Sequence, residues 1–378
     1  MLDFYAQQLD TLKQQGNFRQ FTQNHQTDKW ITIEQNKMLN LSSNDYLGLA
    51  SNTELKTQFL QQSNSYLSSS SSRLLTGDFA EYEACEASLS KAFNGRSALL
   101  FNSGYHMNIG ILPAICDNKT LILADKLVHA SMIDGIRLST AKYVRYRHND
   151  LAHLEKLIEQ NHDTYERIVV VTESIFSMDG DETDLSALVA IKNKFSRVML
   201  YVDEAHAIGV RGTKGLGCAE QYNVLDEIDF LVGTFGKALA SVGGYLICHS
   251  IIREFLINTM RPLIFSTALP PLNIAWTQYV FEHMQTMQKQ RAHLQNLSDS
   301  LQQHVLEKGY QSPSTSHLVP VIVGESTLAV QKAKTLQQQG FYIMPVRPPT
   351  VPKNSARLRI SLSALIQHQD LEPLIKCL

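Results

Sequence analysis

Lys237 closes the run Asp229-Phe-Leu-Val-Gly-Thr-Phe-Gly-Lys237, with glycine before it, alanine after it and no acidic neighbour. An amine in that position is either a solvated loop residue or a partly desolvated nucleophile for a carbonyl carbon. Asp203 ends a second apolar run, Val-Met-Leu-Tyr-Val-Asp203, and Glu204-Ala205-His206 follow it. A carboxylate there can be buried against a cofactor, where a charge-assisted hydrogen bond keeps a ring nitrogen protonated. Asp-Glu-Ala-His also occurs in nucleotide-driven helicases, but those need a phosphate loop. Gly233-Thr-Phe-Gly236-Lys237-Ala238 lacks both the spacing of that loop and its hydroxyl after the lysine. Thr234 can place a hydroxyl near an anion. Phe101-Asn-Ser-Gly-Tyr-His106 stands between an apolar run and a helical one, and small residues that open a helix leave backbone N–H groups to grip a phosphate. His129 follows the run Thr120-Leu-Ile-Leu-Ala-Asp125 and, taken alone, reads as a hydrogen-bonded structural histidine. Asp203, His206, Lys237, Thr234, Gly104 and His129 are all expected at the ends of strands in one sheet, which makes a shared site the better account.

The elements that must position them alternate. Short apolar runs at 120–125, 167–174, 197–206, 229–237 and 244–250 interleave with helical stretches, which predicts an α/β domain with a mainly parallel sheet covered by helices on both faces. Functional residues then belong just beyond the carboxyl ends of the strands. Residues 2–21 carry apolar positions at helical spacing and lead into a polar-apolar alternation at Trp30–Ile33, a helical arm before a small strand. The serine-rich run Ser63–Ser72 reads as an ordered loop rather than a linker. Beyond Arg261-Pro262 a helical section to about Lys308 precedes strand signals at 317–324 and 356–363, the pattern of a smaller α+β domain. The expected organisation is an arm over 1–40, a large domain over 41–260 and a C-terminal domain over 261–378.

With 378 residues the chain exceeds the size at which one core usually keeps growing. Thirty-four basic against thirty-six acidic residues give no electrostatic footprint for nucleic acid or an anionic membrane, so a small-molecule substrate is favoured. Five dispersed cysteines form no C-x-x-C pair; they read as reduced thiols of a cytoplasmic protein, and no metal site is expected. The start shows no signal-peptide pattern, and no run approaches the ~20 apolar residues that span a bilayer.

These residues, together with Leu41-Ser-Ser-Asn-Asp-Tyr-Leu-Gly48, Val171-Thr-Glu-Ser-Ile-Phe-Ser-Met-Asp-Gly180 and Ile264-Phe-Ser-Thr-Ala-Leu-Pro-Pro271, resemble the α-oxoamine synthases over nearly the whole chain. These are pyridoxal-phosphate (PLP) enzymes of fold type I. The resemblance implies a large domain with a seven-stranded, mainly parallel sheet, a smaller α+β C-terminal domain, an N-terminal helical arm and a homodimer. Arg347-Pro-Pro-Thr-Val-Pro352 followed by Ala356-Arg-Leu-Arg359 is most similar to the branch that condenses L-alanine with a pimeloyl thioester, on coenzyme A or acyl carrier protein. Glycine-using sister synthases, of the 2-amino-3-ketobutyrate ligase or 5-aminolevulinate synthase type, are the alternative. A non-catalytic subunit on the same fold is disfavoured by Lys237, Asp203 and His206.

Carried over by position, the resemblance makes Lys237 the Schiff-base lysine and Asp203 the partner of the pyridine nitrogen. His129 would stack on the ring and contact substrate, with Ser177 and His206 near the phenolic oxygen. Backbone groups of Gly104 and Tyr105 and the Thr234 hydroxyl would hold the phosphate, joined by Ser266 of a neighbouring subunit. Asn44 and Arg359 would anchor the amino-acid carboxylate, and Arg19 and Thr350 would contact substrate. Two places depart from the family pattern. Five serines precede Arg73 where relatives usually have glycines, and Leu365-Ile366 stands where an Ala-His pair is common, with His368 two residues on.

Overall fold

Strands buried on both faces must be apolar throughout, and the apolar runs become the strands of one seven-stranded sheet. They are β1 (Ser97–Phe101), β2 (Thr120–Asp125), β3 (Lys142–Tyr146), β4 (Arg167–Glu173), β5 (Val198–Asp203), β6 (Phe230–Thr234) and β7 (Gly244–Cys248). The computed structural model describes residues 2–378. The sheet order is β1-β7-β6-β5-β4-β2-β3. Neighbours from β6 to β3 run parallel, and β7 is antiparallel to both β1 and β6. The mainly parallel, seven-stranded expectation holds. β3 had left no apolar signal: it is the outermost strand, only Tyr146 is buried, and Lys142 and Arg145 face water. Charge on an edge strand keeps it from pairing further.

Two compact units divide the described chain: Asn52–Phe176 with Glu182–Arg291, and the residues up to Ser51 with Ser177–Asp181 and Ala292–Leu378. The sheet belongs to the first. Its core joins Ile122, Val169, Tyr201, Val232 and Leu246 of the strands to Ile111, Met132 and Ile136 of two helices, α1 (Gly104–Ile115) and α2 (Ala130–Leu138). The unit runs on to Arg291 rather than stopping at 260, because helix Pro271–Gln285 packs on Ala80–Ala92 and buries Ile274, Val280, Phe281 and Met284. The Ser63–Ser72 run is a loop tied at its end: Ser69 Oγ donates to the carbonyl of Ala268 at 2.7 Å, and Ala268 N–H donates to that of Ser71 at 2.9 Å.

The second unit contains the helical arm, Leu2–Gln14, which buries no side chain. Strands His25–Thr27, Trp30–Ile33, Asn36–Asn40 and Phe341–Tyr342 make one small sheet, and Leu318–Gly324, Ala356–Ser361 and Pro345–Val346 make another. The arm expected over 1–40 therefore clusters with C-terminal residues rather than standing apart. Leu365 packs onto Gly48, whose φ of +72° brings the backbone so close that a Cβ would lie 2.4 Å from the leucine Cγ.

α1 and α2 approach closely because α2 carries no side chain at Gly135, where a Cβ would stand 2.3 Å from the carbonyl oxygen of Asn108. Replacing Gly135 with Ala is expected to destabilise the protein by about 1–3 kcal/mol, because backbone cannot give way as a side-chain tip can. Urea unfolding of the two proteins checks this, and equal midpoints would contradict it.

Candidate active site

In the large unit the expected residues gather at the carboxyl ends of β2, β4, β5 and β6. Parallel pairing sets Glu173 of β4 beside Asp203 of β5. Lys237 follows β6, and its Nζ lies 2.9 Å from His206 Nε2. An ammonium can only donate, so it places the acceptor lone pair of His206 on Nε2. Asp203 is buried, and each of its oxygens takes one hydrogen bond: Oδ1 from the Ala205 N–H at 2.9 Å, Oδ2 from the Asn108 side-chain amide at 3.1 Å. Each oxygen keeps acceptor capacity for a further N–H.

His129 caps the start of α2, where its Nδ1 accepts the Ser131 N–H at 3.2 Å. Its own N–H donates to Glu173 at 2.6 Å. Burial lowers the pKa of His129, while the Asp203 charge works the other way. Glu173 is pushed up to about 8 by burial, reinforced by the neighbouring Asp203.

The start of α1 is built for an anion. Ser103 caps it, with its hydroxyl accepting the His106 N–H at 3.1 Å. The Gly104 and Tyr105 N–H groups, at the first two helical positions, therefore remain to bind an outside acceptor. Thr234 stands beside them: a Cβ on Gly104 would be 3.6 Å from its hydroxyl oxygen. That hydroxyl donates to the Gly243 carbonyl at 2.9 Å and accepts the Gly236 N–H at 3.2 Å. The Tyr105 side chain turns outward to bond Asp134, so its backbone is what faces the anion position. Ser266 is not in this cluster; it lines a small cavity with Arg73, Asn102 and His106.

These groups fit PLP: an amine, a carboxylate with acceptor capacity for a ring N–H, an imidazole and a helix N-terminus for a phosphate. Among the described residues, no cluster of three or more His, Cys, Asp or Glu could hold a metal ion, and no helix is long and apolar enough to cross a membrane.

The smaller unit carries the other expected residues. Arg359 projects from strand Ala356–Ser361; its Nε donates to the Ser177 carbonyl at 2.5 Å, and its terminal nitrogens donate to Asn44 Oδ1 at 3.3 and 3.4 Å. Tyr46, fully buried, donates its hydroxyl to the same oxygen at 3.1 Å. Burial raises the Tyr46 pKa to about 12, so the phenol remains a donor. Arg19 donates to the Thr350 hydroxyl at 3.3 Å, and Arg347 bonds the Gly16 carbonyl. Burial first, and then the Arg19 charge, lower the pKa of Arg347.

Sequence reasoning missed Asn108, Ser131, Tyr201, Glu173, Tyr46 and Arg347. A signal existed for the first four. Asn108 interrupts the apolar helix Gly-Tyr-His-Met-Asn-Ile-Gly-Ile-Leu, Ser131 is buried in the first turn of α2, and Tyr201 and Glu173 are buried polar residues in strands made mainly of Ile, Val, Leu and Met. A buried polar group needs a partner, so each such interruption marks a network.

The chain belongs to the aminotransferase class I and II family, whose model matches residues 36–378. It is 55% identical to the 8-amino-7-oxononanoate synthase of Haemophilus ducreyi across 100% of both chains. Among solved structures, a serine palmitoyltransferase of S. paucimobilis with bound PLP–myriocin aldimine superposes with a TM-score of 0.90 at 26% identity, covering 99% of this chain and 96% of that one. An 8-amino-7-oxononanoate synthase of Francisella tularensis gives 0.74 at 28% identity, over 90% and 97%.

Behind Asp203, the buried Glu204 accepts the Ser174 hydroxyl at 2.6 Å and the Cys218 and Ala219 N–H groups at 3.0 and 2.7 Å. Those donors favour the ion, but burial outweighs them and raises its pKa from 4.5 to about 7. A folded chain that holds a proton the unfolded chain releases loses stability as pH rises between those two values, and is level above them. Wild-type stability relative to Glu204→Gln should therefore decline from about pH 4.5 to about pH 7, read by urea unfolding at a series of pH values. A difference independent of pH would mean that the fold does not raise the Glu204 pKa.

Proposed function

We propose that this chain is a PLP-dependent acyltransferase of biotin biosynthesis. It condenses L-alanine with a pimeloyl thioester, carried on coenzyme A or acyl carrier protein, releasing carbon dioxide and forming 8-amino-7-oxononanoate. The observation that carries this reading is Lys237 Nζ held 2.9 Å from His206 Nε2, next to the strand end that presents Asp203. Full-length identity to the H. ducreyi synthase selects this reaction over the glycine-using alternatives.

Bound PLP supplies an electron sink for negative charge at the substrate Cα. Lys237 would anchor it through Nζ, and the same amine would serve as the base for the Cα proton of the substrate. Asp203 would accept the ring N–H and so favour a protonated nitrogen. His129 would line the cofactor's ring, with His206 and Ser177 on the side of the phenolic oxygen. The Gly104 and Tyr105 amides would take the phosphate, and the Thr234 hydroxyl would join them by turning its hydrogen away from the Gly243 carbonyl.

Asn44 and Arg359 hold the carboxylate of alanine and so fix which Cα bond is broken. Arg19 and Thr350 receive the acyl donor, and Arg347 joins them, since two guanidinium groups suit the free carboxylate at the far end of a pimeloyl chain. Ser266 completes the phosphate site of a second copy, which makes the working state a homodimer. Tyr66, Leu67 and Phe265 support that assembly: they are 71%, 79% and 71% exposed on loops joined by the Ser69–Ala268 bond. A cytoplasmic location follows from the same reading.

Absorbance spectra of the protein with PLP, taken with L-alanine and with glycine, test the assignment. L-alanine should shift the visible band and support turnover with pimeloyl thioester, whereas glycine should not. Lys237→Ala should lose both the band that borohydride fixes and all turnover; turnover near the wild-type rate would refute the assignment. Arg347→Ala should keep the band and raise the KM for the acyl donor at least tenfold, the expected effect of losing about 1.5 kcal/mol or more from one charged contact. An unchanged KM would remove Arg347 from the acyl site.

A further inference from the structure

We propose that Asn108 and Ser131 are positioning residues that lock His129 in its neutral Nε2–H tautomer and hold Asp203 as an acceptor, one buried side-chain amide setting both groups. The proposal rests on the site described above and deepens it.

Asn108 sits inside α1 and is 2% exposed. All of its polar capacity is spent within the protein in three directions. Its Oδ1 accepts the Tyr201 hydroxyl at 2.5 Å. Its Nδ2 donates to Ser131 Oγ at 2.9 Å and to Asp203 Oδ2 at 3.1 Å. The amide cannot be turned over: a flip would aim its oxygen at the Asp203 carboxylate and at Ser131, and its N–H groups at Tyr201. The direction of each hydrogen bond is thereby fixed.

Ser131 transmits that direction. Its Oγ already receives a hydrogen from Asn108, so its own hydrogen is available to His129 Nδ1, 2.8 Å away. The Ser131 backbone N–H is aimed at the same nitrogen at 3.2 Å. With two donors facing it, Nδ1 cannot carry a proton, which places the ring's one hydrogen on Nε2. The charged and titratable groups around His129 do not enforce this by themselves. Burial is the largest influence and favours the neutral ring, and the Lys237 charge acts the same way; Asp203 and Asp134 favour a charged imidazole, while Glu173 is engaged with the His129 backbone N–H. The Asn108–Ser131 chain adds to that preference and decides which nitrogen of the neutral ring is bare. The chemical gain is direct: an imidazolium laid against a protonated pyridine would set like charges face to face, and a neutral imidazole does not.

Two variants separate this from simple packing. In the PLP-free protein with 15N-labelled histidine, wild-type His129 should show a bare Nδ1 and a protonated Nε2. Ser131→Ala and Asn108→Ala should each raise the titration midpoint of His129 by about one unit, the value of one modest hydrogen bond to the neutral form. Asn108→Ala should in addition weaken PLP binding about tenfold, because Asp203 loses a donor that favours its charged form. Ser131→Ala alters only a hydroxyl and keeps the test open if Asn108→Ala does not fold. A wild-type proton on Nδ1, or His129 titration unchanged in Ser131→Ala, would overturn the proposal. If PLP fails to bind the wild-type protein, the enzymatic reading fails while the tautomer measured without PLP still stands.

Discussion

A carboxylate buried at the end of a β-strand is costly unless other groups are built around it, and Asp203 is the case from which this molecule can be read. Leaving water forfeits several kcal/mol that only donors and an opposing charge restore. The Ala205 N–H and the Asn108 amide supply donors, one to each oxygen. Lys237, after β6, brings the opposing charge, and His129, after β2, is anchored by its backbone on Glu173 of β4. Parallel pairing brings these ends to one edge of the sheet, which a single strand could not do.

Much of this was legible in the sequence because the demand for apolar strands is severe. Five of the seven strands stood out as runs of Leu, Ile and Val closed by a polar residue, and the closing residues Asp125, Glu173, Asp203 and Thr234 lie at or near the strand ends that form the site. The helix-opening turn at Ser103-Gly104 was readable for a similar reason, since a capping serine next to glycine has few other uses. β3 escaped notice because an edge strand is under the opposite demand, to be charged.

What the sequence did not disclose is the layer of residues whose partners are far away in the chain. Tyr46 is an unremarkable aromatic until its hydroxyl is found on Asn44 and its ring against His317, with centroids 4.1 Å apart. The Arg73–Glu86–Arg253 ion pairs join a loop, a helix and the first turn beyond β7, and no local pattern announces them. The helix Pro271–Gln285 looked like the opening of the C-terminal domain because its residues are helical and follow a Pro-rich turn; only its buried face shows which core it completes. Composition and periodicity report what a residue avoids, water or burial, and are silent on which distant group it meets.

β1 is the first strand of the sheet in the chain, and its one neighbour in the sheet is β7, the last. Nearly one hundred and fifty residues separate Phe101 from Gly244, its partner in register. During synthesis β1 leaves the ribosome with nothing to pair with, and it waits until Cys248 has followed. Only once β7 lies between β1 and β6 can the start of α1 come to rest beside Thr234. Contacts of such long sequence separation slow folding and leave an apolar strand open to other chains meanwhile. A newly made copy of this protein thus has its greatest need of a chaperone between the appearance of β1 and that of β7.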